Sequence, residues 1–84
     1  MVFEDITIEG SAGMPLRPAM LFASRMGRYD ASIRLESGKR CADGKSLVSI
    51  ISAGFSGGTR IKVTCDGPDE EEMLRRATEL IRGL

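Results

Sequence analysis

Eighty-four residues, 42% hydrophobic and 29% charged, can build one modest core but not two domains with a cleft between them. Twelve Lys and Arg balance twelve Asp and Glu, so the basic excess of a general nucleic-acid or anionic-membrane binder is missing, and no run nears the ~20 apolar residues that cross a bilayer. There is no histidine, which removes the commonest general base near neutral pH; with Cys41 and Cys65 as the only thiols, a four-ligand structural zinc site and a disulfide framework are removed as well.

The chain starts Met1-Val2-Phe3-Glu4-Asp5, acidic and without the basic-then-apolar pattern of a signal peptide, so the expected location is the cytoplasm. Alternation puts Val2, Ile6 and Ile8 on one face of a half-buried first strand. Gly10-Ser11-Ala12-Gly13 breaks it. A helix follows with Pro18 at its first position, Ala19, Phe22, Ala23 and Met26 inward, and Gly27 as a left-handed cap. Ala31 to Glu36 and Lys39 to Ala42 form a hairpin about Ser37-Gly38, and Asp43-Gly44 turns the chain again. Ser46 to Ala53 is a short apolar run open to a strand reading, but Ser46 as N-cap and Gly54 as C-cap favour a brief helix.

After the glycine-rich loop 55–59, Arg60 to Cys65 reads as a strand with Ile61, Val63 and Cys65 inward. Gly67-Pro68-Asp69 opens the last helix, whose apolar stripe is Met73, Leu74, Ala77, Leu80, Ile81 and Leu84. Its acidic residues sit at the positive end, and its solvated face is expected to pair Glu71 with Arg75 and Glu72 with Arg76. The order βαββαβα predicts an α+β fold: a four-stranded antiparallel sheet with helices on one face, as a single domain over residues 1–84. Met1 ahead of a complete first strand points to a free-standing chain.

No catalytic constellation emerges, and no metal or cofactor is expected. Gly44-Lys45-Ser46 mimics the end of a phosphate-binding loop, but Lys39 stands where that motif needs its first glycine. Cys41 and Cys65 read as small, partly buried strand residues kept reduced, with a single Cys41–Cys65 disulfide left open.

Two segments carry something more specific: Gly13-Met14-Pro15-Leu16-Arg17-Pro18-Ala19 and Lys45-Ser46-Leu47. With them the chain resembles the HPr family, the small phosphocarriers of the bacterial phosphoenolpyruvate-dependent sugar phosphotransferase system. That family's signature runs glycine, aliphatic residue, phosphorylated histidine, alanine, arginine, proline, alanine. Gly13, Met14, Arg17, Pro18 and Ala19 match it; Pro15 stands where the histidine belongs, and Leu16 replaces the alanine. Lys45-Ser46 matches the family's lysine–serine pair ahead of a short helix. Tyr29-Asp30-Ala31, Glu36, Ser52, Gly54, Gly58, Gly67 and Asp69-Glu70 also fit without a gap, so the resemblance spans essentially the whole chain.

The resemblance implies an HPr-like open-faced sandwich and a protein that is not an enzyme. It also implies lost phosphate acceptance from Enzyme I, because proline offers no nucleophile. The chain is similar to catabolite repression HPr, which lacks the carrier histidine and keeps the serine. Ser46 is thereby implied as the target of HPr kinase/phosphorylase, with the phosphorylated form binding a catabolite-control repressor. Leu47, Val48 and Ile51, with Arg17, Met20 and Lys45, are implied as the partner- and anion-binding surface, which Enzyme I would share. Val48 and Ile51 stand where methionines are common, and Ser49 where a glycine often sits. The partners implied are proteins, without direct nucleic-acid or membrane contact, for a monomer or weak dimer. Plain readings stand beside these: Ser46 as a helix cap, Arg17 and Pro18 as helix initiation and surface charge. Other outcomes are a docking competitor for Enzyme I or permease components that carries no phosphate, and a binding domain that has lost both phosphorylation functions.

Overall fold

The computed structural model describes residues 1–84. The elements are β1 (Val2–Thr7), α1 (Leu16–Met26), β2 (Ser32–Ser37), β3 (Arg40–Asp43), α2 (Leu47–Ala53), β4 (Arg60–Asp66) and α3 (Glu70–Arg82). The strands form one antiparallel sheet in the order β1-β4-β2-β3.

Period-two alternation decides the faces of that sheet. Ile6 opposes Ile61, Leu35 opposes both Val63 and Ala42, and Ile33 opposes Cys65, and all seven side chains are buried on one side. The other side is polar: Lys62 opposes Asp5 and Glu36, and its ammonium sits 4.4 Å from the centre of the Phe3 ring. A sheet patterned this way needs cover on one face only, and the three helices supply it. α3 packs on β1 and β4, α2 packs on β3, and α1 packs against α2 and α3.

Helical spacing supplies the other half of the core. Ala19, Phe22, Ala23 and Met26 of α1 are buried, as are Met73, Ala77 and Ile81 of α3, in one cluster of 19 apolar residues. Leu74, Leu80 and Leu84 lie half-buried against that cluster. Thr78 also enters the buried stripe, its hydroxyl satisfied by donation to the Arg75 carbonyl at 3.0 Å. The α+β open-faced sandwich expected from the order of elements is the observed fold.

Several local expectations are corrected. α1 begins at Leu16, with Pro15 as its N-cap, so Pro18 is the third helical residue and not the first. Its missing N–H costs nothing there, because the amides of the first turn have no intrahelical partner. Gly27 ends α1 in a right-handed conformation (φ −62°), not a left-handed one; the chain leaves through tight turns in which Arg28 and Tyr29 donate to the carbonyls of Arg25 and Met26. On α3, Arg75 pairs with Glu79 at 2.6 Å and with Glu72 at 3.9 Å, and Arg76 reaches Glu79 at 3.6 Å, in place of the expected Glu71–Arg75 and Glu72–Arg76 pairs. Glu79 lies where both guanidinium groups can share it. Cys41 is exposed, while Cys65 is fully buried. Ala42, the neighbour of Cys41, faces the core, so Cys41 points to the opposite side of the sheet from Cys65, and both thiols are free. That geometry removes the Cys41–Cys65 disulfide.

A candidate phosphorylation and docking site at the start of α2

The short helix α2 forms because both of its ends are capped. Ser46 has extended backbone angles and its hydroxyl accepts the Ser49 amide at 3.2 Å, while Gly54 adopts the left-handed conformation (φ 63°) that closes the helix. The Arg40 guanidinium donates to the Gly54 carbonyl at 2.8 Å, satisfying an acceptor at the helix end.

The approach to Ser46 is held by a cluster of hydrogen bonds. The Asp43 carboxylate accepts the Lys45 amide at 2.9 Å, and the Ser49 hydroxyl accepts the Asp43 amide at 2.9 Å. The Lys45 ammonium donates to the Tyr29 carbonyl at 2.7 Å, joining this turn to the end of α1. Lys45 is therefore engaged with the backbone and half-buried rather than reaching freely into solvent. Sequence reasoning missed Asp43, Ser49 and Arg40 as parts of this site. The Asp43–Lys45 spacing is the signature of an aspartate turn and could have revealed the first of them.

Exposure sorts the apolar residues of α2. Ile50 is buried and Ala53 packs half-buried on the core, while Val48 is 75% and Ile51 44% exposed. Leu47, read from sequence as outward, instead lies half-buried against the core, because the first turn of α2 tucks it under the helix. On the adjoining α1, Leu16 is 57% and Met20 50% exposed. With Leu21, also exposed, α1 thus presents three large apolar side chains to solvent and neighbouring α2 two.

The start of α1 is held near the far end of α2. Gly13 has φ 70° and approaches the chain after α2 so closely that a Cβ would fall 2.4 Å from the Phe55 carbonyl oxygen, which only glycine tolerates. The Met14 amide donates to that same oxygen at 3.4 Å. Pro15 and Pro18 have no N–H, so the amides of the first turn are those of Leu16 and Arg17. Arg17 is exposed and borders a cavity of about 420 Å³ lined by Met14, Leu21, Phe22 and Leu80.

This arrangement has known counterparts. Residues 3–83 match the family model described as the PTS HPr component phosphorylation site. The chain belongs to the HPr family. It is 27% identical over 82 residues to the HPr-like protein Crh of Bacillus subtilis, covering 98% of this chain and 96% of Crh. It is 32% identical over 78 residues to the phosphocarrier protein HPr of Pseudomonas aeruginosa, covering 92% of this chain and 87% of the relative. The crystal structure of HPr from Bacillus anthracis superposes with a TM-score of 0.88 at 29% identity, covering 94% of each chain. Within this HPr frame the site lacks one ingredient of histidine phosphorylation: the chain has no histidine.

No group of His, Cys, Asp and Glu side chains in the structure is arranged to hold a metal ion, and no helix is long and apolar enough to cross a membrane.

Proposed function

We propose that residues 1–84 act as one HPr-like regulatory module of the phosphotransferase system, carrying no phosphoryl group on histidine and switched by phosphorylation of Ser46. The observation that carries this reading is the placement of Ser46: an N-cap hydroxyl next to exposed Val48, in a chain without histidine. Pro15, at the position matching the family's phosphohistidine, offers neither a nucleophile nor an N–H.

A phosphate on Ser46 brings about −1.5 to −2 charges to the positive end of α2, where they are favourable and need little refolding. The module's output is then an anionic spot beside Val48 and Ile51, read by proteins and not by catalysis of its own. Its partners in this reading are an HPr kinase/phosphorylase and a catabolite-control repressor, met in the cytoplasm by a monomer or weak dimer. Leu47 contributes its exposed part, Met20 and Arg17 extend the surface along α1, and Lys45 orients the turn. The similarity to Crh supports the combination of absent histidine and retained serine.

Intact mass spectrometry after incubation with ATP and an HPr kinase tests the assignment. A single added phosphate, lost in Ser46→Ala, is expected. Label retained in Ser46→Ala, or no label beside an active control substrate, overturns it.

A second reading, a competitor that docks on Enzyme I without carrying phosphate, draws support from Leu16 and Met20 lying exposed next to the start of α1. Its test is Pro15→His: phosphorylation of that variant by phosphoenolpyruvate and Enzyme I would require a surviving docking surface.

A further inference from the structure

Arg25 and Arg28 at the end of α1 and Arg75 and Arg76 of α3 line one cleft of about 250 Å³, together with Tyr29 and Glu72. A chain of zero net charge thus gathers four of its twelve cations around a single concavity. Like charges so placed repel, and the repulsion is only partly relieved. Arg75 and Arg76 share Glu79, Glu72 stands 3.9 Å from Arg75, and neither Arg25 nor Arg28 forms an ion pair. The dipole of α1 accounts for Arg25 in its last turn, but the pair on α3 lies mid-helix, where no such gain exists.

We infer that this cleft binds a small ligand carrying two phosphoryl groups. Guanidinium forks match phosphate oxygens in bidentate fashion: the unpaired Arg25 and Arg28 can hold one phosphate, and Arg75 and Arg76, which share the Glu79 carboxylate between them, keep further N–H groups for a second. The carbonyls ending α1 would otherwise oppose an anion. Those of Arg25 and Met26 accept the amides of Arg28 and Tyr29, and the Tyr29 carbonyl accepts the Lys45 ammonium. Glu72, held only at 3.9 Å from Arg75, serves as the displaceable counter-charge of the empty cleft. The concave shape fits a compact polyanion better than a broad acidic protein surface. None of this depends on Ser46 or on the reading of α2.

The protein carries its own reporter, since Tyr29 is the sole tyrosine and there is no tryptophan. Titration with inorganic pyrophosphate in about 0.1 M salt, followed by tyrosine emission and by calorimetry on the same samples, should show saturable one-to-one binding. The double variant Arg25→Gln/Arg28→Gln should weaken it by about tenfold or more, with an unchanged thermal midpoint, while Lys39→Gln, at an exposed cation outside the cleft, binds as the parent does. Absence of both heat and emission change overturns the inference. So does binding that is indifferent to the double variant. Tighter binding of a hexaglutamate peptide than of pyrophosphate would assign the cleft to an acidic protein partner and overturn it as well.

Discussion

The Lys45 ammonium lies 2.7 Å from the carbonyl oxygen of Tyr29, so the residue just before Ser46 is fastened to the end of α1. Through this bond the position of the candidate phosphorylation site depends on a helix that contributes nothing to its sequence neighbourhood. The Asp43 carboxylate and the Ser49 hydroxyl hold the same turn from the other side.

Replacing Lys45 by Met removes a charge-assisted hydrogen bond and should lower unfolding stability by about 1–2 kcal/mol in urea denaturation. Ser46→Ala, which deletes the cap, should cost about 1 kcal/mol, whereas Ser46→Asp keeps an acceptor for the Ser49 amide and should stay within about 0.5 kcal/mol of the parent. Equal losses for the alanine and aspartate variants would show that capping is not what the side chain contributes.

The two faces of α2 should respond very differently to truncation. Ile50→Ala opens a cavity in the core and is expected to cost about 2–5 kcal/mol, while Val48→Ala, on the solvent side, should fall within about 0.5 kcal/mol. Denaturant midpoints of the pair measure this directly. A large loss at Val48 would mean that the helix is rotated from its observed setting.

Acid stability should depend on Asp69. Its carboxylate accepts the amides of Asp30 at 2.9 Å and Ala31 at 2.8 Å, which hold it below the usual aspartate range. A carboxyl lowered in the fold contributes stability that is complete above its unfolded value and disappears as pH falls through the lower folded one. Thermal midpoints should therefore drop as pH is lowered below about 4. Asp69→Asn should be less stable than the parent at pH 7 and converge with it at acid pH; parallel curves would rule out this origin.

The thiols should separate by burial. Cys41 is exposed and should react at once with a disulfide reagent, whereas Cys65 should react only on unfolding. Burial, followed by the charges of Glu70 and Asp69, pushes the Cys65 thiol up to about 11. A group raised in the fold supports stability below its unfolded value, and that support is lost as pH rises through the folded one. Stability should thus decline from about pH 9 upward, and Cys65→Val should flatten the decline; two promptly reactive thiols in native protein would contradict the packing.

Features readable along the chain were those governed by near neighbours. Alternation placed Ile61, Val63 and Cys65 inward, helical spacing did so for Phe22 and Met26, and the caps Ser46 and Gly54 bracket α2 as their chemistry requires. The same local rules misplaced the first residue of α1, because a proline is accepted anywhere in the first turn, and misread Gly27, because tight right-handed turns end a helix as well as a left-handed glycine does. Leu47 illustrates the limit: its spacing puts it beside Val48, yet only the packing of α2 on β3 decides that it lies half-buried while Val48 stays out.

The sequence by itself determined the order of elements, their buried faces, the absence of imidazole chemistry and the resemblance that leads to Ser46, since each rests on residue identity and on contacts within a few positions. Tertiary structure alone decided that Lys45 reaches Tyr29, that Asp69 receives the amides of residues 30 and 31, and that four arginines from two helices meet in one cleft. Those pairings join positions 16 to about 50 residues apart, and no local propensity encodes them. They exist because burial of one shared apolar core sets the separations of the helices first, and the polar groups at their ends then find whichever partners that packing brings within reach.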